Sequence, residues 1–272
     1  MLEPNGSQSV DRALGLLAMV GRHAERGAGL SDLVEESGLN KATARRLLLA
    51  LIRSGLVQQD HATRRYYLGE EAYVLGSLAS RRFGLLQVSM ESLVRLSRKT
   101  EDSSFVSIRR DTFSVCLYRE EGTYPVRTHA LQAGFEHPLG CGAGSLAMLA
   151  ALDDDEVEAI LAANAKFLEE HYAMLPPERI RQDVAATRAR GYALNPGLII
   201  RNSWGMGAVV RYPDGRVAGA LSIAAIDSRM QEPRQRELAV HLLEETARVE
   251  ERLAQMFSFK YSPRENGAAV AR

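Results

Sequence analysis

Apolar residues fall at Val10, Ala13, Leu14, Leu17, Ala18 and Val20, mostly three or four apart. That rhythm predicts an amphipathic helix with Ser9 as its cap. Gly27 and Gly29 interrupt it. A second helix is predicted from Ser31 as cap, and the acidic residues Asp32, Glu35 and Glu36 suit its amino-terminal dipole. Ser37-Gly38-Leu39 reads as a tight turn, with Gly38 best able to take a left-handed conformation. Asn40 then caps a third helix from Lys41 to Ser54, stopped by Gly55. Leu56 to Asp60 and Arg65 to Leu68 read as two short strands. A helix, a helix pair about a short turn and a hairpin behind them predict a winged helix-turn-helix over residues 9–69. Leu33, Val34, Leu39, Ala44, Leu47, Leu48 and Leu51 would form its shared core.

The pattern changes after residue 69. Residues 70–84 predict a linker helix, with Ala72, Leu75, Leu78 and Ala79 on one face. A helix over Leu85–Lys99 is followed by strands at Ser104–Arg109, Thr112–Tyr118 and Val126–Leu131. The run Gly140-Cys141-Gly142-Ala143-Gly144 leads into a helix predicted over Ser145–Leu152. Helices are also expected at Asp153–Leu161 and Pro177–Arg190. Strands return at Tyr192–Leu194, Met206–Tyr212 and Arg216–Ile226, the last two joined by an Asp214-Gly215 turn. A final helix runs from Pro233 to about Met256. Residues 85–257 thus predict a second domain mixing antiparallel strands with helices, so the fold class is α+β. Residues 258–272 are expected to form a disordered tail.

Composition fits two ordinary domains, since the 272 residues are 46% hydrophobic. Lys and Arg number 34 and Asp and Glu 34, so the net charge is zero, which excludes a polyanion binder of the basic-tail type but not a local basic patch. Charge is nevertheless segregated. Between Asn40 and Tyr66 lie Lys41, Arg45, Arg46, Arg53, Arg64 and Arg65 against a single acid, Asp60. A basic face is often merely solvated, but here it coincides with the third helix and the wing. Such a surface attracts phosphate and releases counterions. Asn40, Lys41, Thr43, Arg45 and Arg46 at the start of that helix, with Arg64 and Arg65 on the wing, are the expected contacts to a double-stranded DNA operator.

Two cysteines, Cys116 and Cys141, exclude a disulfide framework and fit a reducing cytoplasm. No apolar run is long enough to span a membrane, and no signal peptide is expected. None of the six His pairs with another at four residues and there is no CxxC. His129, His137 and Cys141 could converge only by folding, and no metal or other cofactor is expected. There is no GxSxG elbow, no Walker loop and no supported carboxylate pair, so no catalytic residue is assigned. An enzyme with an accessory DNA-binding head remains the alternative, and a constitutive architectural DNA binder a third reading.

SVDRALGLLAMV (Ser9–Val20), LVEESGLNKATARRLLLALIRSGLV (Leu33–Val57) and RRYYLG (Arg64–Gly69) resemble the head of the IclR family of bacterial transcription regulators. HPLGCGAGSLAMLAAL (His137–Leu152), GYALNPG (Gly191–Gly197) and GRVAGALSIAA (Gly215–Ala225) are similar to its effector domain. The resemblance spans about Ser9 to Met256. It implies a GAF-like effector domain, a homodimer or tetramer with swapped heads, and a small organic-acid effector. It further implies altered operator affinity or recruitment of RNA polymerase, with the linker helix pairing across the dimer. Repressor and activator are both compatible with it. It implies that Gly142 and Ala143 contact the ligand through backbone N–H groups. Asn195 stands where the family often has an acid, Gly205 where it can have Cys, and Ser222-Ile223-Ala224 where it has two hydroxyls. Those departures suggest a larger ligand, an aromatic or branched carboxylate, with Trp204 or Met206 against its apolar part.

Overall fold

The computed structural model describes residues 7–24, 26–126 and 131–261, and the chain divides after Phe83 into two units. The first holds α1 (Gln8–Arg22), α2 (Leu30–Ser37), α3 (Lys41–Arg53), β1 (Val57–Gln59), β2 (Tyr66–Leu68) and α4 (Glu70–Phe83). α1 begins one residue before Ser9, and Ser7 takes the cap position. α2 is capped by Gly29, not Ser31, because the Asp32 carboxylate reaches back to accept the Gly29 N–H at 3.1 Å. Gly38 takes the left-handed turn at φ 64°. Asn40 Oδ1 accepts the Thr43 N–H at 2.9 Å and caps α3. Leu33, Ala44, Leu47, Leu48 and Leu51 are buried with Leu16, Val20, Val57 and Tyr66, while Val34 and Leu39 lie at the margin of this core. β1 and β2 pair antiparallel, Val57 opposite Leu68.

The second unit holds α5 (Leu85–Thr100), β3 (Ser103–Arg110), β4 (Phe113–Glu120), β5 (Glu136–Pro138), α6 (Ala143–Ala150), α7 (Asp154–His171) and α8 (Pro177–Arg190). β6 (Ala193–Pro196), β7 (Ser203–Arg211), β8 (Val217–Ile226) and α9 (Arg234–Tyr261) complete it. Its six strands form one sheet in the order β5-β4-β3-β8-β7-β6, every neighbouring pair antiparallel. Alternation sends Val106, Met206, Ala208, Leu221 and Ile223 to one face, against Leu93 and Leu96 of α5 and Leu238, Leu242 and Leu253 of α9. The other face, with Ala193 and Ala220, packs under α6, α7 and α8. The result is three layers, helix–sheet–helix.

Several boundaries depart from the pattern, each for a physical reason. α6 starts at Ala143, two residues early, because Gly142 takes the cap position and the Ser145 hydroxyl is bonded to the loop before it. That hydroxyl accepts the Gly140 N–H at 3.1 Å and donates to Pro138 O at 3.0 Å, stapling the loop below the helix. α7 runs ten residues past Leu161. The polar Asn164 hides its stripe, yet is buried with Nδ2 donating to Thr112 O at 2.8 Å. β5 has no apolar alternation and is held only by pairing with β4, Ser114 opposite His137. Residues 127–130 of the strand expected over 126–131 lie outside the described residues, as do 262–272 of the expected tail. α9 reaches Tyr261 and so takes in the first four residues assigned to that tail.

Candidate functional site

A cleft of about 580 Å³, counted to its open mouth, lies in the second unit between the sheet and the amino end of α6. The sheet supplies Phe105 and Ser107 from β3, Ser114 from β4 and His137 from β5. Ser222, Ile223 and Ala224 come from β8, Ser203, Trp204 and Gly205 from β7, and Asn195 from β6. Cys141, Gly142, Ala143, Gly144 and Ser145 form the opposing wall, with Ile199 and Leu131. Among the described residues no Lys, Arg, Asp or Glu lines it. Gly142, at φ 84° and ψ 155°, turns the chain into α6, which leaves first-turn N–H groups without intrahelical partners. These donors and the helix dipole make an anion site without a cationic side chain.

Close packing holds that amino end on the sheet. A Cβ on Gly205 would lie 3.2 Å from the Ala143 Cβ. A Cβ on Gly207 would strike Ala143 O and come within 2.5 Å of the Ala143 carbonyl carbon. The Ser222 hydroxyl lies beside the first turn, 3.3 Å from where a Cβ of Gly144 would be. Around this end are buried polar groups. Asn195 Oδ1 accepts the Leu198 N–H at 3.0 Å, which fixes the amide's orientation and leaves its Nδ2 unbonded among the described residues. The hydroxyls of Ser114, Ser203 and Ser222 likewise have no partner there, although the residues are 5%, 8% and 7% exposed. Ser107 lies opposite Cys116 in the β3–β4 pairing, and the Cys116 thiol donates to Tyr118 O at 3.6 Å.

Two groups near the cleft are held protonated. Burial pushes the Cys141 thiol up to about 12, and burial with Cys141 alongside pushes the Tyr172 hydroxyl up to about 12. The Tyr172 hydroxyl lies 2.7 Å from His137 Nδ1. A thiol so disfavoured as thiolate is a poor nucleophile. Among the described residues no three His, Cys, Asp or Glu side chains converge as metal ligands. His129 lies outside the described residues.

In the first unit, Lys41 and Arg45 of α3 share a concave surface with Gln59, Thr63, Arg64 and Arg65 of the wing and Leu30, Ser31, Val34 and Glu35 of α2. Lys41, Arg45 and Arg46 are exposed and meet no carboxylate among the described residues. Arg64 is exposed at the wing tip with φ 59°, and its carbonyl accepts Gln59 Nε2 at 2.8 Å. Arg65 is half-buried and donates to Gly27 O at 2.8 Å, tying the wing to the turn after α1. Asn40 and Thr43 are engaged with each other as the helix cap.

Residues 9–61 match the IclR helix-turn-helix domain, and residues 78–250, more than half the chain, match the bacterial transcriptional regulator IclR C-terminal domain. The chain belongs to the IclR family of transcriptional regulators. The probable HTH-type transcriptional regulator ArcR of Halobacterium salinarum is 27% identical over 84% of this chain and 87% of its own. The IclR regulator structure from Alicyclobacillus acidocaldarius shares the fold at TM-score 0.74, with 23% identity over 92% of this chain and all of that one. An IclR homologue from Microbacterium hydrocarbonoxydans, complexed with 4-hydroxybenzoate, shares it at TM-score 0.69, with 19% identity over 90% and 98%. The concave basic surface therefore belongs to a DNA-binding helix-turn-helix, and the cleft to the IclR effector domain. None of the described helices is long and apolar enough to cross a membrane.

Of the residues expected at the effector site, Gly142, Ala143, Asn195, Gly205, Ser222 and Ala224 line this IclR cleft. Met206 does not. Strand alternation turns it to the opposite layer, where it is fully buried between the sheet and the α5–α9 pair. Trp204 borders the cleft, but its side chain also packs into that opposite layer. Nor does Gly205 enlarge the pocket, since the space its missing side chain leaves is taken by Ala143. Sequence reading missed the β3–β5 wall of Phe105, Ser107, Ser114 and His137. Serines two apart from buried residues on β3 and β4 were the available signal.

Proposed function

We propose that this IclR regulator senses a monocarboxylate with an apolar, aromatic body, and that occupancy of the cleft changes its affinity for an operator. The observation that carries this reading is the cleft itself. Free N–H groups of α6 and the hydroxyls of Ser114, Ser203 and Ser222 face a space bounded by Phe105 and Ile199, without a charged side chain among the described residues. An anion is welcome at the helix end, and a second charge elsewhere would stay uncompensated. The 4-hydroxybenzoate complex of the Microbacterium homologue is in line with this class.

In the head, Lys41, Arg45, Arg46 and Arg64 are assigned to operator contact. Arg65 acts through the wing it holds, and Asn40 and Thr43 by setting the start of α3. The exposed apolar residues Val10, Leu14, Tyr73, Leu75 and Leu78 of α1 and α4 support pairing of two copies through these helices. A dimer reads two half-sites. Contact with RNA polymerase and a cytoplasmic location go with this role. An enzymatic reading is disfavoured by the cleft's chemistry, because its thiol is held protonated and the His137 imidazole in its wall is engaged with the Tyr172 hydroxyl.

The test is binding to DNA upstream of the protein's own gene, at fixed salt, with and without a panel of aromatic and aliphatic acids. An aromatic acid should shift the operator affinity at least tenfold and raise the melting temperature. Specific binding indifferent to every acid would refute the effector reading and leave the head assignment in place.

A further inference from the structure

The wing tip combines a repulsive charge with a strained cation. Asp60 is the single acid between Asn40 and Tyr66, it is exposed, and it follows the last residue of β1. A carboxylate beside the operator surface repels phosphate, so its charge alone opposes binding. Its side chain is nevertheless engaged. Asp60 Oδ1 accepts the Thr63 N–H at 2.6 Å and the Thr63 hydroxyl at 2.7 Å. Both bonds favour the ionised carboxyl and hold it below the usual carboxylate range. The backbone of Asp60 accepts the Arg64 N–H and donates to Arg65 O, each at 2.9 Å. Gln59 Nε2 donates to the Arg64 carbonyl at 2.8 Å. All these bonds close on one turn. Within it Arg64 has φ 59°, a left-handed conformation that is costly for a residue with a Cβ and free for glycine. Such a conformation persists only where its surroundings over-determine it.

The Arg64 side chain is exposed and shares a concave surface with Lys41 and Arg45 of α3. Its backbone conformation is one that glycine would supply without strain, so the fold does not account for an arginine there and the cation does. We propose that Asp60 is a positioning residue for operator binding, whose carboxylate oxygen locks the turn that presents the Arg64 guanidinium to DNA. This rests on the assignment of Arg64 to operator contact above and adds the residue that holds it in place. A loose tip would lose conformational freedom on each binding event, and the preformed turn removes that cost. The lock outweighs the repulsion that the carboxylate brings. What matters at position 60 is then an acceptor atom and not a charge. Asparagine offers the same Oδ1 acceptor without the charge, whereas alanine offers neither.

The test is fluorescence anisotropy of the full-length protein on two duplexes, beside urea unfolding of each variant. One duplex covers the region upstream of the protein's own gene, and the other is a random sequence of equal length at low salt. Arg64→Gly suits φ 59° and should leave the urea midpoint unchanged or higher, while weakening DNA binding about fivefold. Asp60→Ala should weaken binding about threefold although it deletes a negative charge. Asp60→Asn should bind at least as tightly as the unsubstituted protein. Asp60→Ala added to Arg64→Gly should weaken binding no further, because the side chain that the lock serves is gone. That coupling separates positioning from a general loosening of the wing, which would weaken binding alike in both backgrounds. Thr63→Val removes one of the two bonds and should show the same coupling more weakly, should Asp60→Ala prove unstable. Undiminished binding by Asp60→Ala overturns the assignment and leaves the Arg64 contact in place. So does Asp60→Asn binding as weakly as Asp60→Ala, or an equal loss in the two backgrounds. Undiminished binding by Arg64→Gly removes the contact itself and the role of Asp60 with it, as does failure of the unsubstituted protein to bind either duplex.

Discussion

Gly207→Ala asks whether the amino end of α6 is held where a carboxylate needs it. The new Cβ would strike Ala143 O, with the Ala143 carbonyl carbon at 2.5 Å and Gly144 N at 2.7 Å. All three are backbone atoms at the start of α6, so no rotamer change relieves the clash and the helix end must lift. Overpacking of this kind costs about 1–3 kcal/mol, and backbone contact places it at the upper end. The entropy lost from the unfolded chain opposes this by about 0.4–1 kcal/mol, leaving a net loss near 2 kcal/mol. The effect on binding should be larger in proportion. Two N–H donors drawn away from a carboxylate forfeit roughly 3 kcal/mol, about 100-fold in Kd. Gly205→Ala is the matched control. Its one tight contact would be the Ala143 methyl, at 3.2 Å, with the Ile223 carbonyl oxygen at an ordinary 3.7 Å, and a few tenths of an ångström of movement suffice. Urea unfolding gives the stability of both variants, and calorimetry with 4-hydroxybenzoate gives their affinity. A Gly207→Ala protein that binds as the unsubstituted one does would show that the α6 amides do not hold the carboxylate.

Arg45→Ala or Arg46→Ala should weaken operator binding by about 1–3 kcal/mol if the side chain reads a base. If it meets phosphate instead, the salt dependence should flatten by about one ion, as fluorescence anisotropy across salt concentrations would reveal. Asn40→Ala should cost about 1 kcal/mol of stability in urea unfolding, through loss of the bond to the Thr43 N–H. Glu245 is fully buried, with Arg95 donating through Nε and Nη2 at 2.8–3.1 Å. Glu245→Ala leaves the partly buried Arg95 with only the exposed Glu91 carboxylate, 3.5 Å away, and should cost about 2 kcal/mol. The thiols of Cys116 and Cys141 and the Tyr172 hydroxyl all have pKa values raised on folding, to about 12. The folded state therefore holds more protons above pH 9, and stability should fall as pH rises from 9 to 12. Stability that is flat across that range in urea titrations would contradict their burial.

What was legible in the sequence was local. Asn40 and Gly38 declare a cap and a turn within four residues, and the head's core follows a period that needs no partner to read. β5 is invisible in Glu136-His137-Pro138 because an edge strand of three residues exists only through its pairing with β4. The cleft was half legible for the same reason. The Gly142-Ala143 turn is a local signal, whereas Ser114 and His137 become site residues only when β4 and β5 curl beside α6. Met206 illustrates a different failure. Gly205 and its neighbours cannot share a face, so assigning Gly205 to the cleft already removes Met206 from it. That inference was available from strand alternation alone. Gly205 itself shows that an absent side chain in a sequence is no evidence of space in a structure, because Ala143 occupies the room.

The two units also treat their cations differently, and this separates their roles better than net charge does. In the second unit Arg109, Arg179, Arg181, Arg188, Arg229 and Arg252 each pair with a carboxylate, and Arg229 also lies over the Tyr124 ring at 3.8 Å. Apart from Arg179, which pairs within α8, those charges tie one segment of the unit to another, and all present little field to a distant partner. In the first unit Arg22 and His23 share Glu36, away from α3. Lys41, Arg45, Arg46, Arg53 and Arg64 pair with none of the carboxylates among the described residues. Exposed ion pairs contribute little to stability, so leaving these cations unpaired costs the head almost nothing in folding. It keeps their full attraction for phosphate, which an intramolecular carboxylate would have to surrender on every binding event. A total charge of zero thus hides a segregation, in which the unpaired cations of α3 and the wing tip are balanced by acidic residues elsewhere in the chain.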